Sequence, residues 1–98
     1  MSDDKIEVEN INVPGQVTRL DRAKYTAMKT ALLASLTDQA PGMTAAEMKA
    51  ALLPHLDPSL FPGGKTSGWW MKSVQLDLEA KGTLRRTNSK PLRFYRLG

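Results

Sequence analysis

The spacing of apolar positions changes along this chain, and each change marks an element. From Lys5 the run KIEVENINV alternates Ile6 with Val8, then Ile11 with Val13, until Pro14-Gly15 interrupts it. Alternation puts every second side chain on one face, so this reads as a short extended segment or ordered arm, with QVTRL as a second short strand. After Asp21 the spacing turns helical. Tyr25, Met28, Leu32 and Leu36 share one face, which predicts a helix over 22–36 with Asp21 as its N-cap. Thr37-Asp38 and Pro41-Gly42 end it.

TAAE, Thr44 to Glu47, has the form of a capping box and starts a second helix, predicted over 44–53, that runs through Met48, Ala51 and Leu52 and stops before Pro54. In PHLDPSLFPGGK, Asp57-Pro58 caps a single helical turn that brings Leu60 and Phe61 to the core. TSGWWMKSVQLDLEAKG predicts a third helix over 67–81, closed by Gly82. TLRRTN and PLRFYRL then alternate like strands on either side of Asn88-Ser89-Lys90, a β-hairpin near 83–97. The expected class is α+β: an N-terminal arm over 1–20, then a domain over 21–98. Its expected core is Met28, Leu32, Met48, Leu52, Phe61, Val74, Leu78, Leu84 and Tyr95.

Charge adds an asymmetry to this picture. Asp3, Asp4, Glu7 and Glu9 open the chain against Lys5 alone, whereas the segment from Lys81 onward holds six basic residues and no acid, within a net charge of +4. A basic strip favours a polyanion, with nucleic acid the first candidate, unless it is simply a solvated face. The 98 residues suit one domain, and the lack of cysteine removes disulfides, thiolate metal sites and a cysteine nucleophile. No apolar run approaches the roughly 20 residues of a membrane span, and Met-Ser-Asp-Asp opens with acid where a signal peptide needs base. The expected location is cytoplasmic, with no membrane partner.

LDLEAKGTLRRTNSKPLRFYRL resembles the last helix and wing of winged helix-turn-helix domains, through Leu78, Gly82, Leu84, Arg86, Arg93, Tyr95 and Leu97. The resemblance covers about residues 21 to 98 and implies a winged helix fold: a three-helix core with a C-terminal hairpin wing. The chain is also similar to a small bacterial family of unassigned function that shares the run FPGG…GWW…VQLDLEAKG. That kinship implies the fold and supplies no activity.

Three candidate chemistries follow, and two are set aside. Gly64-Lys65-Thr66 lacks a phosphate loop's first glycine, since the position five residues before Gly64 is Ser59. Pro58 and Pro62 also precede it where a buried strand is required. A Gly-Gly turn with Thr66 or Ser67 as N-cap accounts for every residue there. The single histidine, His55, stands in a proline-bounded loop without a neighbouring ligand type, and no nucleophile-base spacing occurs. An enzyme, a cofactor and a metal site are therefore not expected.

The third chemistry is binding. Trp69 and Trp70 point about 100° apart on a helix, so both cannot face the core. Taking Met71, Val74 and Leu78 as the inward stripe puts Trp69 outward with Lys72, Ser73, Leu76 and Ala80. By the winged-helix resemblance this face enters the major groove. Lys72 and Ser73 suit that role; Trp69 and Leu76 do not, and Asp77 and Glu79 would repel phosphate. The alternatives are that the arm folds across the face or that a partner covers it.

Arg85, Arg86, Lys90, Arg93 and Arg96 cluster on the wing with Asn88. One or both of Arg86 and Arg93 are expected to lie along the core edge by their stems, which makes Arg85, Lys90 and Arg96 the safer phosphate candidates. With Lys65, Thr66 and Ser67 at the start of the third helix, these residues make the DNA-binding hypothesis. A protein or homodimer interface through Trp69, Leu76 and Ala80 is the other. The connection from Pro54 to Thr66 exceeds the usual turn of about 3–4 residues and leaves groove access open.

Overall fold

The computed structural model describes residues 5–97. Asp3 and Asp4, half of the expected acidic cluster, lie outside them.

The arm is a β-hairpin of β1 (Lys5–Glu9) and β2 (Val17–Asp21), antiparallel with Ile6 opposite Leu20 and Val8 opposite Thr18. Its first half works as read, since Val8 is buried in the main core and Ile6 and Leu20 pack against that core, but Ile11 and Val13, read as its continuation, lie in the turn beyond β1 and are exposed. α1 (Arg22–Ser35) follows without a linker. Asp21 caps it by accepting from the backbone N–H of Ala23 at 2.9 Å and of Lys24 at 3.3 Å. The inward face carries Tyr25, Met28, Ala31 and Leu32.

β3 (Met43–Thr44) is a two-residue strand that no alternation announces. It pairs with the last strand through Met43 opposite Phe94 and Thr44 opposite Arg93. Gly42 makes this approach possible: its φ is +97°, and a Cβ there would stand 2.2 Å from the Phe94 carbonyl oxygen. α2 (Ala45–Leu52) starts on the expected capping box, with the Glu47 N–H donating to Thr44 Oγ1 at 3.2 Å and the Thr44 N–H to Glu47 Oε1 at 2.9 Å.

The connection to the next helix is ordered by short turns. A 3-10 turn spans Leu53–His55, and the Leu60 and Phe61 N–H groups both donate to the Asp57 carbonyl. Asp57 Oδ1 meanwhile accepts from the Ser59 backbone and hydroxyl, which holds its carboxyl below the ordinary range. Phe61 is thereby seated in the core, edge-on to Trp70 at 6.4 Å between ring centroids.

α3 (Ser67–Ala80) ends in a Schellman cap: the Thr83 N–H donates to the Leu78 carbonyl at 2.9 Å, and Gly82, at φ +80°, donates to Glu79. Its start differs from the expected side-chain cap. Thr66 takes a left-handed φ of 61° and its hydroxyl donates to its neighbour's carbonyl, while Ser67 Oγ donates to the Gly64 carbonyl, so neither oxygen caps the helix.

β4 (Leu84–Thr87) and β5 (Arg93–Arg96) complete a three-stranded antiparallel sheet in the order β3-β5-β4. Leu84 opposes Arg96 and Arg86 opposes Phe94, so these residues share the inner face. That corrects the expected core: Phe94 is buried and Tyr95 half-buried, because β5 turns its even-numbered positions inward. The whole is α+β, three helices with two small antiparallel sheets. Among the described residues no helix is long and apolar enough to cross a membrane.

Candidate nucleic-acid interface

The wing cations divide into bonded and unbonded sets. Arg86 donates from Nε and Nη2 to Glu79 Oε1 and Oε2 at 2.7 and 2.8 Å, and its guanidinium stands 5.7 Å from the Phe94 ring centroid. Those hydrogen bonds hold its pKa above the ordinary guanidinium value, against its partial desolvation. Arg96 Nε donates to the Leu36 carbonyl at 3.1 Å, tying β5 to the end of α1. Arg93 Nη1 donates to the Gly42 carbonyl at 3.2 Å and lies 3.5 Å from Glu47 Oε1. Arg86 thus lies on the inner face beside Phe94, whereas Arg93, on the outer face of β5, is held by its head group to Gly42 and Glu47. Arg96, expected to face phosphate, shares that internal role because its position falls on the inner face. Arg85 and Lys90 are exposed and make no hydrogen bond or ion pair among the described residues, and Asn88 is exposed beside them.

α3 is divided in the same way. Its N-terminal two turns present Trp69, Lys72 and Ser73 outward, with Lys65 and Thr66 exposed just before them and Ser67 buried. Trp69 is 57% exposed and Trp70 8%, their rings edge-to-face at 5.2 Å. In the C-terminal half Val74 to Glu79 are all buried. Leu76, expected outward, is only 9% exposed, because the arm lies across it with Val8, Asn10 and Leu20 at the same depression. Ala80 alone of the expected outer positions there is exposed.

Asp77 and Glu79 therefore do not confront a ligand. Asp77 is 0% exposed, and its carboxylate accepts from the Glu9 N–H at 2.8 Å, the Lys81 ammonium at 2.9 Å and the Tyr25 hydroxyl. Burial, then the bond to Asp77, raises the Tyr25 pKa well above that of a free phenol. Glu79, 6% exposed, belongs to Arg86.

Two features escaped the sequence reading. The first is Lys49 of α2, exposed and without a partner among the described residues, whose ammonium reaches to 3.4 Å from where a Cβ on Gly68 would sit. Its place on the flank of the Met48 and Leu52 face was a visible signal, but nothing local says that α2 meets α3 there. The second is a groove between the start of α2, α3 and the wing. Thr44 and Ala45 form one wall, Gly68 and Lys72 another, Pro91 and Leu92 the third, and Met71 and Phe94 line its apolar floor.

The arrangement gathers Lys65, Lys72 and Lys49 around the start of α3, with Lys72 across the groove from the wing segment that carries Lys90. On the groove side Glu47 is engaged by Thr44 and Arg93 and Glu79 by Arg86; Glu9 stands on the other flank, with Trp69 and Ser73. Among the described residues no three His, Cys, Asp or Glu side chains gather as a metal would need. His55 is exposed at a shallow depression with Arg22 and Asp57.

The chain belongs to a family of unknown function (DUF6958), which matches residues 5–94. No curated protein and no solved structure matches it.

Proposed function

We propose that this chain is a winged helix domain that binds duplex DNA through its sugar-phosphate backbone. The fold part of this reading is supported by the order of elements, with a short strand before α2, a hairpin after α3, and the sheet order β3-β5-β4. The observation that carries the function is the pairing pattern of charges. Lys49, Lys65, Lys72 and Lys90 lack partners among the described residues, while the neighbouring acids of the groove side are bonded internally.

In this reading the first two turns of α3 approach a major groove, the wing tip at Asn88 to Lys90 reaches the flanking backbone, and one strand runs between them. The arm stops the C-terminal half of α3 from entering, which leaves the half-buried Ser73 as the polar side chain there for bases and the exposed Lys72 for the backbone. Such contacts give affinity with little sequence preference.

Fluorescence anisotropy with a labelled mixed-sequence duplex across salt concentrations tests this. Four lysine-phosphate contacts give a log-log salt slope of about −3.6, and changing Lys72 and Lys90 together to Ala shallows it by about 2 for every sequence alike. No binding at about 50 mM salt with tens of micromolar protein would refute the proposal.

The exposure of Trp69 favours a second reading, a protein-interaction module. With Leu76 under the arm, that surface reduces to Trp69 and its rim. Trp69→Ala would then cost about 2 kcal/mol of partner affinity and leave the lysines without effect except at low salt.

A further inference from the structure

Gln75 lies in the enclosed half of α3 and is 6% exposed. Its side-chain amide makes no hydrogen bond with any described residue. No fully buried side-chain nitrogen or oxygen among the described residues lacks a partner, so the amide retains contact with solvent, and the surface it lines is the groove. A nearly buried, unpartnered amide in an apolar recess is costly unless something polar completes it.

We infer that this groove is a binding site for a small amphipathic carboxylate. Its volume of about 630 Å³ falls within the usual range for small-molecule sites. Met71, Leu76 and Phe94 offer an apolar bed for a flat hydrocarbon body. Two cations border it, but only one is available. Arg86 is neutralised by both oxygens of Glu79, whereas Lys72 has no partner among the described residues. The complementary ligand therefore carries one negative charge at the Lys72 end and a hydrogen-bonding group within reach of Gln75. Asn12 of the arm also lines the groove.

The inference stands without the DNA reading, since ligand binding is measured in the absence of DNA. Because both use Lys72, a bound carboxylate and a DNA strand would compete for it.

The test is a titration of the ¹⁵N-labelled chain with 2-naphthoate and, as its uncharged counterpart, 2-naphthamide. The expected result is saturable shift changes at the Ala45, Ala46 and Gly68 amides and at the Gln75 side-chain NH₂. Lys72→Met should weaken naphthoate by about 10-fold and naphthamide by less than about 2-fold, because only the acid forms a charge-assisted bond. Gln75→Leu, an apolar replacement that preserves packing, should weaken both. Gln75→Glu should weaken naphthoate selectively by placing a like charge beside it. Shift changes centred on Trp69 and the arm, linear changes without saturation, or equal effects of Lys72→Met on acid and amide would each overturn the assignment.

Discussion

Asp77→Ala removes the one group to which the arm, α1 and the end of α3 are all bonded. The buried carboxylate accepts from the Glu9 N–H at 2.8 Å, from Tyr25 and from Lys81. The Lys81 side chain is 39% exposed, so its ammonium rehydrates on release and that pair contributes little. The other two donors belong to the arm and to a Tyr25 that is 2% exposed. Each left without an acceptor costs about 1–3 kcal/mol, giving about 4 kcal/mol together, or roughly 20 °C in Tm for a domain of this size. Asp77→Asn retains one acceptor oxygen and loses the charge assistance, so about 2 kcal/mol is expected. Tyr25→Phe should cost about 1 kcal/mol, and the double variant should show coupling of similar size. Thermal melts give the totals. Hydrogen exchange at the Glu9 amide gives the local effect, since its protection depends on this acceptor. An Asp77→Ala protein that melts within about 3 °C of wild type, or keeps Glu9 protected, would show that the arm is held by apolar contacts alone.

Tyr25 also sets an alkaline limit. Its folded pKa is raised above the ordinary 10.0, so the unfolded chain ionises first and stability falls as pH rises past that value. Wild type should lose about 1.4 kcal/mol per pH unit more than Tyr25→Phe in that range, measured by urea titration. Gly42→Ala should prevent normal folding or cost more than about 3 kcal/mol, because the new Cβ meets Phe94 backbone at 2.2 and 2.5 Å. Gly15→Ala, at φ +89° with nothing within 4 Å, should cost only about 1 kcal/mol in the same denaturant assay. Arg86→Ala should destabilise the fold by about 3 kcal/mol by stranding Glu79, yet leave the DNA salt slope unchanged in the folded fraction; Lys90→Ala should do the reverse.

Helix positions were legible because their signals are local. Asp21 and the Thr44/Glu47 capping box work within one turn, and the Tyr25, Met28 and Leu32 stripe needs only the helical period. What required the whole fold was less visible. β3 exists because Gly42 lets the backbone approach Phe94, a contact between residues far apart in sequence. The choice between Phe94 and Tyr95 for the core turns on strand register, since both alternations in PLRFYRL contain apolar residues. The site suffered most from this limit. Alternation along the wing separated Arg86 and Arg93 from the other three cations but left Arg96 for phosphate, because which of them are consumed depends on Glu79, Leu36 and Gly42, none of which belongs to the wing.

The same reasoning settles what the acids of α3 mean for any ligand. Read in sequence, Asp77 and Glu79 spoil a phosphate-facing helix. In the fold, Glu9 of the arm, Tyr25 of α1 and Arg86 of the wing each bond one of them, so both charges are spent on positioning the elements around α3. The arm that satisfies Asp77 is also the element that covers Leu76 and lines the groove with Asn12. One set of contacts thus buries most of the second half of α3 and leaves the Lys72 face of the first half, together with the Gln75 amide just beyond it, as the chemically open part. A variant that frees the arm would therefore change the extent of the binding surface together with the stability. Variants at Lys72 and Gln75 test the surface with the arm in place.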